Sequence, residues 1–185
     1  IGASLGRNDI HVQLDAPGTD CTLHGLYMTS GDQQQDQEIS TTHAQPNCSS
    51  DQFYKGILSG NSHAVFSGKE IVKRDAQKTS ANQKDLNLLL SRGARIDAKP
   101  SLEIYADDIQ AAHGATAGAI ADEAIYYMQS RGLSRETARR LLIQGYATEI
   151  IDRVDLDILH DHLEGLFSSE THSLNPLGRK ESVPI

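Results

Sequence analysis

Between residues 99 and 116 the chain changes its period, and no other stretch constrains the fold as strongly. Leu102, Ile104 and Ala106 alternate with Glu103 and Tyr105, a two-residue period that predicts a strand with one apolar face. An Asp107-Asp108 pair follows, then His113 and a Gly114-Ala115-Thr116 segment that reads as a turn. Upstream the sequence has the pattern of short strands and turns; downstream it has the pattern of helices. The chain must therefore join a β-region to an α-region here.

The upstream alternation recurs. Ile10, Val12 and Leu14 are separated by polar residues, and Pro17-Gly18 then turns the chain. Cys21, Leu23 and Gly25 repeat the pattern, as do Ala64-Val65-Phe66-Ser67-Gly68 and Ala94-Arg95-Ile96-Asp97-Ala98. The starts of these triplets, at 21, 64 and 94, are unevenly spaced. They fit stacked rungs of roughly 20 residues or somewhat more, with insertions at the corners. A rung of this kind cannot bury its own apolar face, so it must stack on its neighbours. The period alone allows a jelly roll or a sandwich as readily. Residues 31–38, GDQQQDQE, read as a solvated corner, whereas Asn82, Gln83 and Asn87 read as structural amides that bond backbone or stack.

After Thr116 the helical signals are local and explicit. Asp122 and Glu123 suit a first turn, Ile125 and Met128 supply an apolar side, and Gly132 suits the residue after a helix end. Ser134 offers an N-cap, and the apolar stripe Ala138, Leu141, Leu142, Gly145, Ile150 and Val154 follows. Leu156, Leu159, Leu163 and Leu166 continue at three- and four-residue steps. The expected division is rungs over 1–117, a helical appendage over 118–167 and an irregular tail over 168–185.

Composition narrows the class. The net charge is −8 with no basic run, which argues against nucleic acid as a partner. No apolar run is long enough to span a bilayer and no leader pattern opens the chain, so a cytoplasmic location is expected. Aromatic residues are only 5% and Trp is absent, lean for a helical bundle but compatible with a ribbon of short strands. Cys21 and Cys48 suit neither a disulfide framework nor a zinc site and read as reduced thiols. The chain opens on Ile1 in strand-like sequence, from which a missing N-terminal portion is expected.

Several uncommon words occur in one order: Ala76-Gln77-Lys78-Thr79, then Asn87-Leu88-Leu89-Leu90-Ser91, then Lys99-Pro100-Ser101-Leu102-Glu103-Ile104-Tyr105-Ala106-Asp107-Asp108, His113-Gly114-Ala115-Thr116 and Ser130-Arg131-Gly132. In this order they resemble the SufB/SufD family of iron–sulfur assembly proteins, in its SufD form, most strongly from about residue 54 to residue 151. The resemblance implies a mostly β fold, a right-handed parallel β-helix followed by a small C-terminal α-helical appendage. It implies a non-catalytic scaffold subunit that pairs with SufB as a heterodimer and docks the SufC ATPase on its helices, here through Leu141, Leu142, Tyr146 and Ile150. It also implies that the histidine at position 113 lies at the SufB interface and takes part in building a transient iron or iron–sulfur cluster. No firmly bound cofactor is implied.

On residue chemistry alone, His113 is either a packed, hydrogen-bonded ring or a ligand for a borderline metal. One familiar form of the family motif has a cysteine two residues before the histidine; here that position is Ala111, so any cluster thiolate must come from the partner. Cys48, in a turn-rich Pro46-Asn47-Cys48-Ser49-Ser50 segment near Lys55, is a candidate exposed thiol. Asp107 and Asp108 could be an acid/base pair or a calcium site, but neighbours on a strand point to opposite faces, so they read as solvated turn acids. No phosphate-cradling loop occurs, so ATP hydrolysis is expected on SufC. The rival readings are a β-helix polysaccharide lyase or hydrolase, which needs a groove with converging carboxylates, and a purely structural interaction module. A solenoid that lacks its first rungs presents an unpaired cross-section over residues 1–30, so self-association through that open end is expected as well.

Overall fold

A computed structural model describes residues 3–171. Eight strands and three helices follow one another: β1 Leu5–Leu14, β2 Asp20–Thr29, β3 Gln34–His43, β4 Ser49–Leu58, β5 His63–Val72, β6 Thr79–Leu89, β7 Arg95–Ile104, β8 Ile109–Gly118, α1 Asp122–Ser130, α2 Arg135–Ile151 and α3 Asp157–Thr171. Odd strands form one parallel sheet in the order β1-β3-β5-β7, and even strands a second in the order β2-β4-β6-β8. This is a parallel β-solenoid of about four turns, followed by three helices. Strands and helices segregate into compact units, residues 1–119 and 120–185.

The turn of the solenoid is longer than the sequence pattern suggested. Leu5 pairs with Gln34 and Gln34 with His63, a step of 29 residues, while His63 pairs with Arg95, a step of 32. Each turn contains one strand of each sheet, so the triplets beginning at Cys21 and Ala64 belong to different sheets. Their inward phase was nevertheless correct: Ala64, Phe66 and Gly68 are buried. Tyr27, Leu58, Ala64 and Ala94 form one core cluster and Ile39, Tyr54 and Phe66 another.

Register places residues in columns running along the solenoid. Gly25, Tyr54, Asp85 and Ala115 form one, and Tyr27, Gly56, Asn87 and Ala117 the next. Large and small residues alternate up each column because adjacent strands lie only about 4.8 Å apart. A Cβ at Gly25 would overlap the Tyr54 ring, and one at Gly56 would overlap Tyr27 and Asn87.

The polar run 31–38 is a corner only over residues 31–33. Its second half is strand β3, which pairs along its whole length, and Gln37 is buried with its Oε1 accepting from Asn8 Nδ2. A solenoid turn can bury an amide wherever the neighbouring turn supplies its partner, which composition does not reveal. Gly114-Ala115-Thr116 is likewise not a turn, for β8 continues through it to Gly118. Asp107 and Asp108 lie exposed at the corner between β7 and β8, as solvated turn acids.

In the helical unit, Ser134 Oγ accepts from the Thr137 N–H and Gly132 adopts φ +87° after α1, as their residue types demanded. Ala138, Ile143, Ala147, Ile150 and Ile151 are the buried side of α2. The expected tail begins inside α3 at residue 168, and its remainder lies outside the described residues. Among the described residues no helix is long and apolar enough to cross a membrane.

Candidate functional site

The chemistry-bearing side chains of the solenoid gather along its interior and at its last turn. Thr41, His43, Ser50, Gln52, Glu70, Gln83 and Asp85 are at most 5% exposed. His43 Nε2 lies 2.9 Å from Ser50 Oγ and 3.4 Å from Glu70 Oε2. Gln52 Nε2 donates to Glu70 Oε1 and to Thr41 Oγ1, each at 2.8 Å, and Ser50 Oγ donates to Glu70 Oε1 at 3.3 Å. The network ties the two facing sheets together across the core. Most of these polar atoms pair with one another, and an orphaned one costs about 1–3 kcal/mol; among the described residues His43 Nδ1, Glu70 Oε2 and Gln83 Oε1 are buried without a hydrogen-bond partner.

A second cluster sits higher on the even sheet. Asp85 accepts from Asn87 Nδ2 at 2.6 Å and from Tyr27 Oη at 3.2 Å. Burial pushes its carboxyl up to about 6 despite both hydrogen bonds, which favour the charged form. Burial also raises Tyr54 to about 12, with Cys21 adding to the effect. The Cys21 thiol is itself raised, by burial first and then by the Glu70 charge.

His113 lies within β8, not beyond the last strand, opposite Gln83 in register. The alternation of β6 puts Thr79, Ala81, Gln83, Asp85 and Asn87 inward, so their partners Ile109, Ala111, His113, Ala115 and Ala117 share that side. His113 is exposed because β8 is the outermost strand of its sheet in this chain. Its surroundings on β8 are alanines, which leaves one imidazole standing alone on the last turn.

Cys48 is not an exposed thiol. It is 1% exposed and its Sγ donates to the Ala16 carbonyl at 3.3 Å, with Asn47 taking a positive φ of 58° to make the corner. The turn-forming residues that suggested exposure instead fold the thiol inward. Lys55, the cation near it in sequence, is buried with its ammonium 5.6 Å from the Phe53 ring centroid. Of the α2 residues, Leu141 is 40% exposed, Leu142 and Tyr146 are half-buried, and Ile150 is buried. Further exposed apolar side chains of this unit are Tyr126, Tyr127, Leu156 and Ile158. Among the described residues no three His, Cys, Asp or Glu side chains converge as a metal cage. The Glu70–Gln52–Gln83 line was not anticipated as one feature; three amide-capable or acidic residues on separate strands are linked only by the register.

A paired-sheet parallel solenoid with one exposed histidine on its last turn defines the structural class. Residues 1–146 match the family model described as the SUF system FeS cluster assembly SufBD core domain, and the chain belongs to that family. It is 35% identical over 152 residues to the iron–sulfur cluster assembly protein SufD of Escherichia coli, covering 82% of this chain and 36% of that protein. A SufBD family protein of Synechocystis is 36% identical over 171 residues, covering 92% and 38% respectively. One of Mycobacterium leprae is 34% identical over 171 residues, covering 88% and 44%. The chain thus spans less than half the length of these curated relatives, and its likeness among them is to SufD-type members.

Proposed function

We propose that the chain acts as a SufD-type scaffold subunit of a SufBCD-like complex, pairing with a SufB-type chain and docking a SufC-type ATPase. The nascent cluster is cargo, held where His113 meets the partner. The observation that carries this reading is the exposed imidazole of His113, alone among alanines on the last turn of a solenoid of this family. A neutral imidazole nitrogen is a competent iron ligand, and this chain adds no thiolate beside it: Ala111 occupies the near position, Cys48 is buried, and the Cys21 thiol is disfavoured as a thiolate. The sulfur ligands therefore belong to the partner. Hydrolysis of ATP belongs to the docked ATPase, and the chain itself is non-catalytic.

The polysaccharide-lyase alternative is disfavoured by the same interior. Its carboxylates would have to converge on an open groove, whereas Glu70 and Asp85 are sealed between the sheets. The decisive experiment is His113→Ala in the assembled complex, with complex formation, thermal stability and cluster delivery followed together. Lost delivery from a stable, fully assembled complex is expected. Undiminished delivery refutes the ligand role.

The helical docking is tested separately. Leu141 is open to a partner and Ile150 is not, so Leu141→Asp should abolish capture of the ATPase while the helices stay folded. Ile150→Asp should unfold them, because it buries an unpaired charge. Unchanged capture by folded Leu141→Asp would remove Leu141 from the docking surface.

A further inference from the structure

The inward column of the even sheet reads Leu23, Gln52, Gln83, His113, one residue per turn. Its two amides share one orientation. Gln52 donates through Nε2 to Glu70 Oε1, and its own Oε1 accepts from Gln83 Nε2 at 2.8 Å. Glu70 sets this polarity, because a carboxylate only accepts; reversing either amide would face oxygen against oxygen. The ladder therefore delivers a carbonyl, not an N–H, to the last turn. That carbonyl, Gln83 Oε1, is buried and has no hydrogen-bond partner among the described residues.

The partner it lacks must come from the turn above. The inward side chains of β7 and β8 are Ile96, Ala98, Pro100, Leu102 and Ile104 on one strand, and Ile109, Ala111, His113, Ala115 and Ala117 on the other. His113 alone among these ten carries an N–H, and it is the direct register partner of Gln83. Adjacent strands place such neighbours about 5 Å apart at their backbones, within reach of a ring rotation.

We propose that Gln83 is a positioning residue for His113: its Oε1 accepts one imidazole N–H, fixes the tautomer, and leaves the other nitrogen's lone pair directed at the open end of the solenoid. A neutral imidazole has one N–H and one lone pair, so holding the first aims the second. The buried Glu70, through Gln52, keeps the Gln83 amide from turning over. This deepens the reading of His113 as the cargo ligand and rests on it for its biological use, but not for its geometry.

The test uses imidazole 1H–15N correlation spectra of the full chain at about pH 8, where a histidine of ordinary pKa is neutral. His113→Ala identifies the signal. One tautomer in roughly tenfold excess is expected in the unsubstituted chain, the effect of a single good hydrogen bond. Gln83→Met, which keeps the volume and removes the acceptor, should bring the two forms near parity. A mixed population in the unsubstituted chain overturns the assignment, whether or not Gln83→Met folds. So does an unaltered tautomer in a folded Gln83→Met. Normal cluster delivery by His113→Ala would refute the ligand role alone, leaving this spectral result to stand or fall by itself.

Discussion

The second and third turns of the solenoid and its last turn occupy the same columns but hold opposite kinds of residue. At the inward positions of β6 stand Ala81, Gln83, Asp85 and Asn87, all buried; opposite them on β8 stand Ala111, His113, Ala115 and Ala117, mostly exposed. The inner turns fill the space between the sheets with large groups whose polar atoms are matched across strands. On β8 the last turn reduces three of these four positions to methyl groups and keeps one ring. An inner turn is thus built to be closed and the last turn to be met by something else, so substitutions should fail differently in the two places.

The largest contrast should be in packing. Phe66 is fully buried against Ile39 and Tyr54, so Phe66→Ala should cost about 3–5 kcal/mol by denaturant unfolding. Ile104, on the last turn and 42% exposed, should cost under about 1 kcal/mol when cut to alanine. Equal losses would mean that the last turn is packed as an inner one and would remove the distinction.

Next in size is a pH effect confined to the inner turns. The Asp85 carboxyl is raised from 3.8 to about 6, so its ionised form is disfavoured in the folded chain. Well below pH 3.8 it is protonated in both states and contributes nothing. As pH rises towards 6 the unfolded chain loses its proton first, and stability falls by about 3 kcal/mol in all before levelling off. Asp85→Asn should abolish that slope, leaving the variant more stable than the parent at pH 7 and similar at pH 3.5. A variant no more stable at pH 7 would mean that the Tyr27 and Asn87 hydrogen bonds offset the burial of the charge.

The contrast between turns also explains what was legible in the chain. The inward phase of the strands was readable from Ile10, Val12 and Leu14 or from Ala64 and Phe66, because apolar alternation encodes a buried face directly. The helices were readable from Ser134 and Gly132, because caps act within a few residues. The length of a turn was not readable, for it depends on pairing between residues 29–32 apart, and nothing local marks it. Nor was the burial of Gln37, Gln52 and Gln83: a polar side chain is acceptable inside only if another turn supplies its partner, and the sequence lists the partners without joining them. His113 is recognisable as unusual by its company, but Gly114 beside it reads as a turn, which hides the strand that carries them both. In a solenoid strand a glycine can equally be a gap, as Gly25 and Gly56 are.

The smallest expected effect is on the stability of the last turn itself, and it separates the two regions most cleanly. Were His113 a packed core histidine, its removal would leave partners unsatisfied and cost about 1–3 kcal/mol. Exposed on β8, with Ala111 and Ala115 flanking it on the same side, it can lose only one hydrogen bond, to a carbonyl that water can then reach from the open end. His113→Ala should therefore change the unfolding free energy by no more than about 0.5 kcal/mol. Gln83→Ala, one turn inward in the same column, should cost about 2–3 kcal/mol, because Gln52 Oε1 loses its donor where water cannot follow. Chemical denaturation of the two variants side by side measures the difference. A His113→Ala loss as large as that of Gln83→Ala would place the ring in the core and return the last turn to the same construction as the rest.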